Sequence, residues 1–209
     1  MPAAPVTRFL ILACVIIELL LVLMPHRLSE GLMFMLSLIP ARLTLVPGEG
    51  AVTLVTSQFL HAGLLHLFAN MLFLWAIGRP VEWIIGGGRF VVLYIATGVI
   101  GGVAQTLAAP MSTVPVVGAS GSISGMLAIY ALMFSRSRVS SRVFAGFRVP
   151  GHLLRLLWFA IAWIGIQLMI ALVFNTGGMG GVAVWAHIGG FLAGLVLAAP
   201  FIRRRPQQD

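Results

Sequence analysis

Residues 8–24 read R-F-L-I-L-A-C-V-I-I-E-L-L-L-V-L-M, an apolar run interrupted within its length only by Glu18. A helix rises about 1.5 Å per residue, so about 20 mostly apolar residues are needed to cross the hydrocarbon core of a bilayer. We therefore interpret this run as a membrane-spanning helix. Because it contains a carboxyl group, it also raises the question of how polar groups are accommodated at membrane depth.

The rest of the chain has the same character. Five further segments qualify as spans: 57–77, 89–109, 118–135, 153–174 and 182–200. Hydrophobic residues make up 60% of the chain and charged residues 9%, whereas a soluble domain has about 25% charged residues. Lipid offers no partner to backbone polar groups, so helices are expected throughout. The predicted fold is an all-α membrane protein, a bundle of six transmembrane helices in one domain over residues 1–209.

The first connection is the longest. Residues 25–56 are expected to form a long outer loop. Within it, the apolar segment 28–40 is too short to span, so it either lies in the interface as an amphipathic helix or dips partly into the membrane.

The charge pattern predicts the orientation. All 13 basic residues are arginines, and with five acidic residues they give a formal charge of +8. Arginines occupy the second and fourth connections and the C-terminal tail, whereas the connections 110–117 and 175–181 carry no charge. By the positive-inside rule both termini are expected in the cytoplasm. The basic charge is thus interpreted as topology, and no nucleic-acid partner is expected. Cys14 is the single cysteine, which excludes an internal disulfide.

A few polar residues are expected at the same depth in the outer half of the membrane. His66 and Asn70 are four residues apart and share one face of the second span. Ser120 lies a few residues into the fourth span and His187 about 5–8 Å into the sixth, by the helical rise. Polar side chains in membrane helices usually face the bundle interior. Three separate helices would therefore direct these groups toward one site.

The chemistry that fits these groups is nucleophilic catalysis. A serine hydroxyl needs a base to take its proton, and histidine is the usual base. Candidate donors to an oxyanion are His66, Asn70 and the backbone N–H of Ser120 at a helix N-terminus. The two acidic residues near spans do not suit a triad, since Glu18 has no identifiable partner and Glu82 is expected to bond locally at the cytoplasmic end. The pattern predicts a Ser–His dyad.

Three motifs, which occur in order on the second, fourth and sixth predicted spans, resemble those of the rhomboid intramembrane serine proteases: 61–70 (H-A-G-L-L-H-L-F-A-N), 118–121 (G-A-S-G) and 186–194 (A-H-I-G-G-F-L-A-G). The resemblance extends over residues 8–200. It implies Ser120 as nucleophile, His187 as general base, and His66 and Asn70 on the oxyanion side. The implied substrate is a transmembrane protein cut near or within the outer half of the bilayer, without a metal or organic cofactor. A bacterial inner membrane fits the compact six-span form.

Two positions depart from the family pattern. Many bacterial relatives carry a Trp-Arg pair in the first loop, but residues 25–56 contain no tryptophan. Many also have an aromatic residue four positions after the nucleophile, where this chain has Ser124. We expect Ser122 and Ser124 to bond to their own helix backbone. For Ser124, the alternatives are a wider cavity and a less favoured role as substitute nucleophile. Trp163 is interpreted as a packing or interfacial aromatic.

Several alternatives stay open at this point. The main alternative function is a non-catalytic rhomboid-like protein that binds transmembrane helices; a small transporter or channel subunit is less favoured, because no repeated halves are evident. The glycine-rich segment 175–181 is a hypothetical lid. His61 is interpreted as a neighbour of the site. The oligomeric state and the identity of the substrates are not predicted.

Overall fold

The computed structural model describes residues 3–135, 142–144, 147–151, 154, 157–159, 161–163, 165 and 183–202. Three helices in this part of the chain are long and apolar enough to cross a membrane: Pro5–Leu23, Leu64–Ile85 and Gly87–Ala108. They correspond to the first three predicted spans, and the chain is an integral membrane protein built mainly of helices.

The last three predicted spans are recovered less completely. The fourth and sixth correspond to the shorter apolar helices Ser120–Met133 and Val184–Ala199. Most of the fifth, 153–174, lies outside the described residues, although those described between 151 and 165 are helical. That the chain crosses the membrane six times therefore stays a prediction.

Helix α1, Pro5–Leu23, shows how a span divides into two faces. Its buried residues recur every three or four positions: Thr7, Leu10, Cys14, Glu18 and Leu21. Between them, large apolar side chains such as Phe9 and Leu12 are exposed, as expected for a lipid-facing surface. The helix ends before Pro25, and Met24 adopts the extended conformation that a following proline favours.

The first connection contains short helices rather than an irregular loop. These are α2 (His26–Leu36), α3 (Pro40–Leu45), α4 (Pro47–Gly50), α5 (Thr53–Thr56) and a 3-10 turn (Ser57–Phe59). Helix α2 has no buried residue and exposes Phe34 and Met35, whereas residues 37–40 are buried; both alternatives for segment 28–40 stay predictions. The guanidinium of Arg42 donates hydrogen bonds to the carbonyls of Phe34 and Ser37, which ties α3 to the end of α2.

The second span is displaced from its predicted boundaries of 57–77. It consists of α6 (Leu64–Phe73), a π-helical turn (Leu74–Gly78) and α7 (Arg79–Ile85). It starts late because Leu60 is extended. It continues past Pro80, whose ring would clash with a carbonyl of the preceding turn in a regular α-helix. The π-helical turn immediately before this proline locally widens the backbone, and the helix continues.

Three helices form the tightest part of the bundle: α8 (Gly87–Ala108), α9 (Ser120–Ser135) and α10 (Val184–Ile202). At the closest points between these helices, backbone atoms of one helix pack against backbone atoms of the other. A Cβ atom on Gly190 would lie 2.2 Å from the Gly121 carbonyl oxygen, and one on Gly194 would lie 2.3 Å from that of Gly125. Small residues four apart allow membrane helices to approach this closely, because lipid provides no hydrophobic force between them.

Two short antiparallel strands, β1 (Arg142–Phe144) and β2 (Phe147–Val149), form a hairpin after α9. The sequence analysis predicted only an arginine-rich connection here. The hairpin pairs backbone groups that follow a span, and the all-α prediction did not include it.

The carboxylate of Glu82 anchors the start of α1. It accepts hydrogen bonds from the backbone N–H groups of Val6 (2.9 Å) and Thr7 (2.7 Å) and from the Thr7 hydroxyl (2.7 Å). These N–H groups belong to the first turn of a helix, where they have no intrahelical partner and where negative charge is favoured. The expectation that Glu82 bonds locally was wrong, because its partners are more than 70 residues away in the chain.

We predict that replacing Gly190 or Gly194 with alanine destabilises the bundle. The added methyl group would overlap a backbone oxygen that cannot rotate away, so α10 must move from α9. Thermal unfolding in detergent should show a clear loss of stability for either variant. Gly88→Ala is the control, since a Cβ there meets no atom within 4 Å. Equal stability of all three variants would contradict the packing described.

A second prediction concerns Glu82. Glu82→Ala removes the acceptor for three donors, two of them buried, and should lower the free energy of unfolding by about 2–3 kcal/mol. Glu82→Gln keeps one acceptor oxygen and should lose less. Glu49→Ala, at an exposed carboxylate, should leave denaturant unfolding in detergent unchanged. If Glu82→Ala matched Glu49→Ala, the carboxylate would not be stabilising α1.

Candidate active site

Ser120 lies at the first residue of α9 and is nearly buried. The chain reaches it through Gly118, whose φ of +123° lies in a region that side chains disfavour. The Gly118 N–H donates to the Ser57 carbonyl at 2.9 Å. The serine therefore follows a turn held by the end of the first connection, at a helix N-terminus with unpaired N–H groups.

The segment before this turn is also held by backbone hydrogen bonds. Leu38 and Val116 form an isolated antiparallel bridge. The Leu38 nitrogen is 3.1 Å from the Val116 oxygen, and the Val116 nitrogen is 2.8 Å from the Leu38 oxygen. The Ala41 N–H donates to the Ser112 carbonyl at 2.9 Å. The first connection is thus fastened to the approach to Ser120 through main-chain atoms.

His187 lies in the first turn of α10, and its Nε2 atom is 2.7 Å from Ser120 Oγ. Both side chains are less than 9% exposed. The glycine contact between α10 and α9 explains this proximity, since Gly190 lies one turn after His187 and rests on Gly121, the residue after Ser120. The structure thus brings together Ser120 and His187, which the sequence predicted to lie at the same depth in the membrane.

His66 borders the same space from α6. Its Nδ1 accepts the Ala62 N–H at 3.1 Å, so a neutral ring carries its hydrogen on Nε2. A Cβ atom on Gly118 would lie 3.0 Å from His66 Nε2 and 3.6 Å from Ser120 Oγ. The imidazole N–H and the serine hydroxyl therefore both face the space that glycine leaves open.

Asn70 is buried one turn further along α6. Its Nδ2 donates to the His66 carbonyl at 2.9 Å, while its Oδ1 has no hydrogen bond within the described part of the chain. Among the described residues it makes no hydrogen bond to Ser120 or His187. Asn70 thus lies one helical turn after His66, and its second amide hydrogen has no acceptor among the described residues.

Two serines near the nucleophile behave differently from each other. Ser124 donates to the Ser120 carbonyl at 2.8 Å, the bond to its own helix that we expected. Ser122 does not follow that expectation, since its hydroxyl donates to Gln58 Oε1 at 2.9 Å. The Ser122–Gln58 pair lines a cavity of about 30 Å³ beside Ser120, which has room for a water molecule.

Trp163 is a neighbour of the site that sequence reasoning treated as a packing residue. Its indole N–H donates to Ser124 Oγ at 2.7 Å, and its ring lies edge-to-face with that of His187, with centroids 6.3 Å apart. Trp163 is more than 20 residues from each of the three site motifs, so no spacing pattern in the sequence could have identified it.

Glu18 is accommodated on the far side of His66. It lines a cavity of about 290 Å³ together with His61, whose ring is edge-to-face with His66 at 5.3 Å. The backbone N–H groups of His61 and Gly63 face the Glu18 carboxyl group. Glu18 Oε2 and both His61 ring nitrogens make no hydrogen bond to the described residues, and such buried groups typically bind water.

Neither carboxylate joins the Ser120–His187 pair. Glu18 contacts the His61 side, and Glu82 caps α1. The described residues contain no group of three or more His, Cys, Asp or Glu side chains that could hold a metal ion. The hypothetical lid at 175–181 lies outside the residues that the structure describes.

The sequence is similar to that of a known protein family. A family model described as "Rhomboid domain" matches residues 49–204. Rhomboid protease GluP of Bacillus subtilis is 32% identical over 148 residues, which are 70% of this chain and 26% of that protein. Rhomboid protease GlpG of Serratia proteamaculans is 31% identical over 161 residues, 74% of this chain and 50% of that protein.

Relatives without activity are also similar. Inactive rhomboid protein 1 of Homo sapiens is 29% identical over 147 residues, 70% of this chain and 15% of that protein. The chain thus spans half or less of the length of these relatives. The matched region includes the span carrying His66, the turn carrying Ser120 and the helix carrying His187, and it covers well over half of the sequence. This chain belongs to the rhomboid family.

Proposed function

We propose that this protein is an intramembrane serine endopeptidase that cleaves transmembrane-helix substrates with a dyad of Ser120 and His187. The observation that carries the proposal is the 2.7 Å distance between His187 Nε2 and Ser120 Oγ. That is hydrogen-bond distance for a general base and its nucleophile. The protease names of two relatives support the proposal, and the inactive relatives make a direct test necessary.

The acylation step follows from this geometry. The Ser120 hydroxyl attacks the scissile carbonyl while its proton passes to His187 Nε2. The resulting imidazolium then protonates the leaving amine, which gives an acyl-enzyme on Ser120. Water then attacks the carbonyl of this ester as the neutral His187 takes its proton; the bond to Ser120 Oγ breaks, His187 returns the proton to that oxygen, and the product leaves as a carboxylic acid. The small cavity beside Ser120, whose lining includes the polar side chains of Gln58 and Ser122, has room for such a water molecule.

The oxyanion would form in the space over Gly118. His66 Nε2–H borders that space, and so does the N-terminal end of α9, where backbone N–H groups and the helix dipole favour negative charge. The Asn70 amide donates one N–H to the backbone carbonyl of His66, and its second N–H is the one that would serve the oxyanion. Donors fixed before the reaction stabilise developing charge without reorganising.

The partner and the location follow from the same proposal. The substrate is a transmembrane protein that enters from the lipid and unwinds locally at Ser120. The membrane is a bacterial inner membrane, with both chain termini in the cytoplasm, according to the arginine distribution. Cleavage then takes place in the outer half of the bilayer.

We predict that Ser120→Ala and His187→Ala each lower cleavage of a model transmembrane substrate by more than about 10³-fold, because each removes one half of the dyad. The assay uses purified protein in detergent and in liposomes. His26→Ala removes an exposed histidine on α2 and is the matched control. Cleavage by Ser120→Ala at the normal rate would assign the nucleophile elsewhere.

A fluorophosphonate label discriminates between enzyme and binder. Wild-type protein should be labelled at Ser120, and His187→Ala should label much more slowly. If the wild type were neither labelled nor active, but still bound a transmembrane-helix peptide, the non-catalytic alternative would be the better description.

The oxyanion residues give a graded prediction. His66→Ala should lower kcat by about 10²–10³-fold, the usual cost of losing one oxyanion donor. Asn70→Ala should have a smaller effect on kcat, because its first hydrogen bond is to the helix backbone. Neither variant should greatly alter KM if the donors act mainly on the transition state. An unchanged kcat in His66→Ala would exclude it as a donor.

A further inference from the structure

We propose that Trp163 is a positioning residue that fixes His187 relative to Ser120 through a hydrogen bond to Ser124. This inference rests on the proposed function, and it assigns the orientation of the base to an indole group rather than to a carboxylate. The four residues form a closed set of contacts: Ser120 to His187, His187 to Trp163, Trp163 to Ser124, and Ser124 to Ser120.

The Ser124 hydroxyl is oriented by two strong partners. It accepts the Trp163 indole N–H at 2.7 Å and donates to the Ser120 carbonyl at 2.8 Å. Ser124 is fully buried and Trp163 nearly so. Away from water, hydrogen bonds in a chain polarise one another and are costly to break. The indole is thereby linked to the backbone of the residue that carries the nucleophile.

The Trp163 ring is held from two sides. It is edge-to-face with Phe73 of α6, with centroids 4.6 Å apart and an interplanar angle of 70°. On its other side it meets the His187 imidazole, at 6.3 Å and 69°. These separations lie within the range of favourable aromatic pairs. Because the N–H bond and Phe73 both fix the indole, it limits rotation of the imidazole.

A base needs such a limit because its Nε2 atom must stay aligned with the serine hydroxyl. In a triad, a carboxylate bonded to Nδ1 performs this role. No described residue hydrogen-bonds His187 Nδ1, and Glu18 and Glu82 are occupied elsewhere. Trp163 is the described aromatic side chain in contact with the His187 ring, so it is the group that holds the ring orientation.

The test removes the hydrogen bond from either end. Trp163→Phe keeps an aromatic ring and loses the N–H, whereas Ser124→Ala loses the acceptor. Each variant should lower kcat by about three- to tenfold with KM unchanged, the size expected for one neutral hydrogen bond. The double variant should be no slower than the slower single one, because both changes remove the same bond. Trp158→Phe, at an exposed tryptophan of the same segment, is the control.

A second pair isolates the hydroxyl from packing effects. Ser124→Thr and Ser124→Val add groups of the same shape, and only threonine retains the hydroxyl. The threonine variant should exceed the valine variant in kcat by the same three- to tenfold factor, at equal melting temperature. Ultraviolet resonance Raman spectra, taken as the difference from Trp163→Phe, should show a hydrogen-bonded indole that Ser124→Ala releases; this measurement does not depend on activity.

The outcomes separate the two proposals. Full cleavage by Ser120→Ala would overturn the proposed function itself. If Ser120→Ala is inactive but Trp163→Phe and Ser124→Ala both keep the kcat of Trp158→Phe, the dyad stands and the positioning role of Trp163 is overturned. An unchanged Raman difference spectrum in Ser124→Ala would also overturn it, because the hydrogen bond would not exist.

Discussion

The structure depends on the close approach of α10 to α9. Gly190 and Gly194 rest on the backbone oxygens of Gly121 and Gly125, at distances that leave no room for a side chain. Since apolar side chains gain little by leaving lipid for another apolar surface, close backbone packing supplies much of the attraction between these helices. The same contact sets the separation of His187 and Ser120, so the packing of the bundle and the geometry of the site have one origin.

Polar groups are the second constraint, and each is accommodated by a different means. Glu82 is bonded to the unpaired N–H groups of α1. Ser124 bonds both the backbone and an indole, and Ser122 bonds Gln58. Glu18 instead lines a cavity with His61. Burial of such groups is tolerated where hydrogen bonds or water compensate for lost hydration.

The sequence predicted the membrane class, six spans of which three are found at full length, and the meeting of Ser120 with His187, because hydrophobic length and depth along a helix can be read residue by residue. It did not predict the partners of Glu82 or the contact of Trp163 with Ser124. Periodicity identifies the face of a helix on which a residue lies, but not which neighbouring helix covers that face. The late start of the second span was likewise not visible, since the apolar pattern does not show that Leu60 is extended and that the helix begins only at Leu64.

The bridge between Leu38 and Val116 has a consequence for which substitutions the approach to Ser120 tolerates. Its two hydrogen bonds join main-chain atoms, so they do not require particular side chains at these two positions. The bridge can therefore form in a first connection that contains no tryptophan. The attachment of this connection to the segment before Ser120 thus depends on backbone conformation rather than on the identity of the two side chains.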